Sequence, residues 1–172
     1  MTNQPFTGST DVDWSKLPVP EDDGGASHLA GLGLPSLALT ASNGNEIDLS
    51  EVLGRSVVFI YPMTGKPDTP LPEGWDDIPG ARGCTPQACS FRDHAAELTD
   101  LGIGQIFGLS TQDSSWQREA ATRLNLGYPL LSEASLKLAD ELDLPRFETD
   151  GMALLKRLTL VLRDGMIEHA FY

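Results

Sequence analysis

The chain has two thiols, and both lie in GARGCTPQACSFRD, residues 80–93. Cys84 and Cys89 are five positions apart, behind Gly83 and at the predicted start of a helix. The thiolate is the nucleophilic form of cysteine. A helix N-terminus favours it, because unpaired N–H groups and the helix dipole stabilise negative charge. Cys84, before or within the first helical turn and following a Gly-rich loop, is therefore the candidate nucleophile, with a lowered pKa and an open approach. Cys89, beside Phe91 on the apolar side, reads as its hidden partner; taken alone it would be a small core residue.

In an ideal helix, residues five apart differ by about 140° and their Cα atoms lie roughly 8.6 Å apart. A disulfide needs Cα atoms within about 7 Å. The pair therefore cannot close while the helix is intact and can close once its first turn unwinds. A structural disulfide is disfavoured for the same reason. A metal site is weak, because Cys84, Cys89 and His94 step round the helix, and His28 and His169 are the only other histidines.

Several elements must position these thiols. RSVVFIY, 55–61, is a continuous β-branched and aromatic run that reads as a strand buried on both faces. Residues 62–83 carry five prolines and four glycines and read as a long loop, pinned at Trp75. In the helix that follows, Thr85 is the expected N-cap and Pro86 its first residue, with Ala88, Phe91, Ala95 and Leu98 as the apolar stripe and Gly102 as the stop.

IGQIFGLST, 103–111, is a second buried strand. DSSWQREAATRLNLG is a helix capped at Asp113 or Ser114, YPLLSE is short, and SEASLKLADELDLP is a helix closed by Pro145. Asn43-Gly44 and Asp164-Gly165 mark hairpins near either end. Residues 1–30, polar and without periodicity, read as a flexible arm ahead of a domain over 31–172. Alternating strands and helices imply a parallel core with antiparallel additions, an α/β fold.

Of the 172 residues, 40% are apolar and 22% charged, which places the chain among globular proteins. A net charge of −13 argues against nucleic-acid binding and against docking to anionic membranes. The N-terminal stretch has no basic region followed by an apolar one, and SVVFIY is too short to span a bilayer, so the expected location is cytoplasmic. Two cysteines in such a setting point to a catalytic pair and not to a disulfide scaffold.

GCTPQACSFRD resembles the active-site segment of peroxiredoxins, most of all the bacterioferritin comigratory protein (peroxiredoxin Q) subfamily. The similarity extends to IYP at 60–62, GLST at 108–111, LLSE at 130–133 and RLTLVLRDG at 157–165, over about residues 32–172. It implies a thioredoxin-like fold with a central mixed sheet flanked by helices. It also implies thiol peroxidase activity on hydrogen peroxide or organic hydroperoxides, without cofactor or metal. Cys84 would be the peroxidatic cysteine, Cys89 the resolving one through an intramolecular disulfide, and a thioredoxin- or glutaredoxin-like protein the reductant.

Arg157, otherwise an ordinary strand residue, would hold thiolate and peroxide. Pro62, Thr64, Gly83 and Thr85 would line the substrate pocket.

Two departures stand out. The family pattern places Pro seven and Thr or Ser three residues before the cysteine, where this chain has Asp77 and Ala81, with Pro62 and Thr64 far upstream. The lengthened loop is expected to wall the pocket and select a peroxide or a reductant. The chain also stops at Tyr172, where family members continue into a final helix. Monomer and homodimer both remain open. The rival readings are a thiol–disulfide oxidoreductase, against which four residues separate the thiols instead of two, and a non-catalytic redox sensor.

Overall fold

The structure, a computed structural model, describes residues 12–172. Its frame is a five-stranded mixed sheet. In chain order the strands are β3 (Arg55–Ile60), β4 (Ile103–Ser110), β5 (Leu130–Ser132), β8 (Leu158–Arg163) and β9 (Met166–Phe171), arranged β5-β4-β3-β8-β9. β3, β4 and β5 run parallel, while β8 and β9 are antiparallel additions at the other side. Two small hairpins stand outside the sheet: β1 (Ala38–Thr40) with β2 (Glu46–Asp48), and β6 (Arg146–Thr149) with β7 (Met152–Leu155). The helices are α1 (Cys84–Asp93), α2 (Ala95–Asp100), α3 (Ser114–Arg123) and α4 (Lys137–Glu141).

β3 is apolar on both faces because both are covered, as its continuous run requires. Val58 and Ile60 point to one core, with Leu109, Leu131, Leu155 and Leu158. Val57, Phe59 and Tyr61 point to the other, with Ala88 and Cys84 of α1. Phe59 stacks on Phe91 at 4.6 Å between centroids and meets Tyr128 edge-on at 5.7 Å. Gly108 makes room for this: a Cβ there would lie 2.8 Å from the Phe59 ring. The Tyr128 hydroxyl donates to the Ala88 carbonyl at 2.6 Å. Together these contacts seat the second half of α1 on the sheet.

The structure corrects several expectations. Of the arm over 1–30, residues 1–11 lie outside the described residues. In the remainder, Ala26 and Leu29 are 5% and 0% exposed and belong to the core, so packing starts before residue 31. Trp14–Lys16 is a turn of 3-10 helix capped by Asp13. The 62–83 loop holds a further 3-10 turn, Trp75–Asp77.

The helix expected across SEASLKLADELDLP shrinks to α4. Leu136 takes a left-handed φ of 58°, and the Glu133 carboxylate accepts the Ala139 N–H at 2.6 Å, which fixes a late start. Burial pushes the Glu133 carboxyl up from its ordinary value. The β6–β7 hairpin, turning at Asp150 and Gly151, was not expected, although Asp-Gly is a turn dipeptide.

Candidate active site

The helix that carries both cysteines begins two residues earlier than its sequence predicts. Gly83, at φ 101°, is the N-cap, a left-handed conformation that a side chain would strain. Cys84 is then the first helical residue, and Thr85 lies inside the turn, where its hydroxyl does not cap. Pro86 is tolerated because the first-turn N–H groups have no helical partner.

Arg157, immediately before β8, reaches across to this turn. Its Nη2 donates to Cys84 Sγ at 3.2 Å and to the carbonyls of Gly80 and Arg82, each at 3.0 Å. Its Nε donates to Gly80 at 3.3 Å, and Nη1 to the Gln87 side chain. The thiol itself donates to the Ala81 carbonyl at 3.5 Å. A planar guanidinium with five donors suits this task, since one group organises both the loop and the sulfur.

Neither thiol is bonded, and their exposure reverses the expectation: Cys84 is 3% exposed, whereas Cys89 is only half-buried. Cys84 packs among Val57, Phe59, Tyr61 and Ala88, with the Ala81 carbonyl of the loop at the sulfur. The loop folds back beside the helix start, its Trp75 buried with Ala81 and Leu154 and its Arg82 paired to Asp76 at 2.6 Å. The expected lowering of the Cys84 pKa is also corrected. Burial pushes the thiol up from its ordinary value, and Arg157 with the Met63 N–H offsets this only in part.

Pro62 is buried at the end of β3, next to Met63. Thr64 follows Met63, whose N–H reaches the Cys84 thiol, but its own hydroxyl is bound to Gln112. Its N–H and hydroxyl both donate to Gln112 Oε1, at 3.0 and 3.1 Å, and its carbonyl accepts from Trp116 Nε1 at 3.0 Å. Of the expected residues, the structure thus brings together Cys84, Gly83, Arg157 and, more loosely, Thr85; Cys89 sits further along the same helix. Gln87 and the carbonyls of Gly80 and Arg82 were missed. Gln87 had a signal, because three positions after Cys84 places it on the same helical side. The carbonyls had none. Among the described residues no three His, Cys, Asp or Glu side chains gather to hold a metal, and no helix is long and apolar enough to cross a membrane.

The fold is thioredoxin-like, and an arginine-bound cysteine opens α1. The Redoxin family matches residues 29–172, and the chain belongs to it. It is similar to chloroplastic peroxiredoxin Q of Oryza sativa subsp. japonica, 30% identical over 144 residues covering 82% of this chain and 58% of the relative. The corresponding Suaeda salsa protein is 32% identical over 135 residues, 77% of this chain and 55% of the relative. The chain therefore spans little more than half of these plant proteins. Peroxiredoxin Bcp of Escherichia coli K12 is 28% identical over 142 residues, 80% of this chain and 81% of that one. Among solved structures, peroxidoxin BcpB of Mycobacterium tuberculosis superposes with a TM-score of 0.66 at 27% identity, covering 84% of this chain and 86% of its own.

Proposed function

We propose that this protein is a thiol-dependent peroxidase that reduces hydrogen peroxide or organic hydroperoxides. The observation that carries the reading is the 3.2 Å contact between Arg157 Nη2 and Cys84 Sγ, made by an arginine whose remaining donors are tied to the surrounding turn. The family and its peroxiredoxin relatives support it. The Cys84 thiolate attacks one peroxide oxygen, the O–O bond breaks, and the leaving alkoxide or hydroxide takes up a proton. Arg157 stabilises the charge on sulfur and on the peroxide as it develops. Cys84 is left as a sulfenic acid. The Cys89 sulfur then attacks Cys84, a disulfide forms and water leaves. A thioredoxin-like dithiol reduces the disulfide by exchange. Because both cysteines lie in the continuous helix α1, resolution requires its first turn to open.

The test is direct. The reduced protein receives one equivalent of hydrogen peroxide, is quenched with an alkylating agent within milliseconds to seconds, and its thiols are mapped by mass. Rapid loss of both thiols to a Cys84–Cys89 disulfide is expected, with a sulfenic adduct on Cys84 alone in Cys89→Ser. Thiols that stay free for many minutes would sink the proposal. The raised Cys84 pKa and the engagement of Thr64 by Gln112 favour a second reading, a redox switch that oxidises but turns over slowly. Steady-state peroxide consumption with a thioredoxin system separates the two.

A further inference from the structure

The segment that leads into the core crosses the turn before Cys84 and is fastened around it at three points. Asp13 accepts from the Ser15 N–H at 3.2 Å and pairs with Lys16 at 3.1 Å, which shapes the 3-10 turn that presents Trp14. A Cβ placed on Gly83 would lie 3.4 Å from the Trp14 ring, so the indole rests on the residue that caps α1. A Cβ on Gly80 would lie 3.5 Å from Pro20. Further along, Asp23 accepts from Lys156 Nζ at 2.9 Å, one residue from Arg157. Trp14 nevertheless stays 55% exposed, and a cleft of about 260 Å³ lies under the strap, lined by Trp14, Leu17, Pro18, Ile78, Gly80 and Arg157. The strap crosses the turn before Cys84 with Trp14 outside the buried core.

We propose that Trp14 is a positioning residue for Cys84: by resting on Gly83 it holds the first turn of α1 in the peroxide-reactive arrangement and delays the opening that lets Cys89 reach the oxidised sulfur. This rests on the peroxidase reading above. Resolution joins Cys84 and Cys89 sulfurs, with the sulfenic hydroxyl leaving as water after taking the Cys89 proton. The two Cα atoms must approach for that bond, so the first turn unwinds and Gly83 moves off the indole. Any contact that holds Gly83 therefore favours the first step, where Arg157 must meet sulfur, and opposes the second. It also prolongs the sulfenic acid, leaving time for a second peroxide to carry it to the irreversible sulfinic form.

The experiment uses the full chain with Trp14→Ala and Trp14→Phe, each alone and with Cys89→Ser, under rapid mixing with hydrogen peroxide and mass mapping of the thiols. Trp14→Ala is expected to speed disulfide formation about fivefold and to slow Cys84 oxidation in the Cys89→Ser background about twofold, as loss of one contact allows. Sulfinic acid at excess peroxide falls, and Trp14→Phe returns all three values toward wild type. Asp23→Ala, which removes the bond to Lys156, shifts the rates the same way by a smaller factor. A contact that served stability alone would lower the melting temperature without splitting the two rates. Rates that are both unchanged, or that fall together, overturn the proposal. Absence of any Cys84–Cys89 disulfide in the wild type overturns the peroxidase reading and this inference with it.

Discussion

The two halves of α1 are held by different forces. The second half is seated by apolar contact: Phe91 stacks on Phe59 at 4.6 Å, and Tyr128 packs edge-on against the same ring. The first turn buries Cys84 but is held in addition by polar contact, with Arg157 reaching Sγ, Gln87 and two loop carbonyls. Water can replace the hydrogen bonds of a half-buried arginine, so each contributes only about 1 kcal/mol net. Water offers no such substitute for the contact of the partly buried Phe91 with the fully buried Phe59 ring. The helix thus has one end that can be released and one that is fixed, with a cysteine in each. That asymmetry is what a thiol needs if it must first be held by an arginine and later reach a second thiol five residues on.

The comparison can be broken or sharpened by substitution. Arg157→Ala should lower the rate of Cys84 oxidation by about 10²- to 10³-fold, the loss expected when a preorganised donor to developing charge is removed. Arg157→Lys should recover little, because a single ammonium cannot serve sulfur, Gln87 and both carbonyls. An Arg157→Ala variant oxidised as fast as wild type would show that the polar end does no chemistry. At the other end, Phe91→Ala should cost about 2–4 kcal/mol in urea unfolding, as for other large-to-small core changes. A cost below ~0.5 kcal/mol would mean that the second half is not anchored by the stack.

The pH dependence probes the released end. Burial raises the Cys84 pKa, so the thiolate fraction and the oxidation rate should climb about tenfold per pH unit from pH 6 upward, where a lowered pKa would give a plateau. Stability has the opposite sign. A raised folded-state pKa gives stability that is complete below the unfolded value and lost as pH rises through the folded one. Reduced wild type should therefore lose stability relative to Cys84→Ser on the alkaline side, measured by thermal melts across pH.

Two smaller effects complete the series. Tyr128→Phe removes the bond to Ala88 and should cost about 1 kcal/mol, with both reaction steps intact. Thr64→Val should cost about the same and leave Cys84 oxidation unchanged, since the hydroxyl is bound to Gln112 and not to the thiol. Slowed oxidation in Thr64→Val would return that residue to the site.

Much of the architecture was legible. RSVVFIY could only be a strand covered on both faces, and β3 spans Arg55–Ile60 at the sheet centre. Asp164-Gly165 turned as expected between β8 and β9, and Asp113 caps α3 through the Trp116 N–H at 2.8 Å. These features depend on neighbours in sequence: periodicity, capping and turn chemistry act over a few residues. The β6–β7 hairpin carries the same Asp-Gly signal, in RFETDGMALL, where apolar and polar residues do not alternate cleanly.

What the sequence determined by itself, then, is where the thiols sit and that one helix cannot hold them bonded, because the helical rise and rotation depend only on their spacing. The exposure of each thiol was decided by tertiary structure. Cys84 is buried among Val57, Phe59 and Tyr61 of the β3 segment and Tyr128 beyond α3, and this burial, a sum over residues far apart in the chain, moved the thiol pKa opposite to the local helix effect. Arg157 meets Cys84 only because the start of β8 is brought beside the end of β3. Likewise Trp14, in a segment without periodicity, finds Gly83, 69 positions along the chain, only because folding brings the two together.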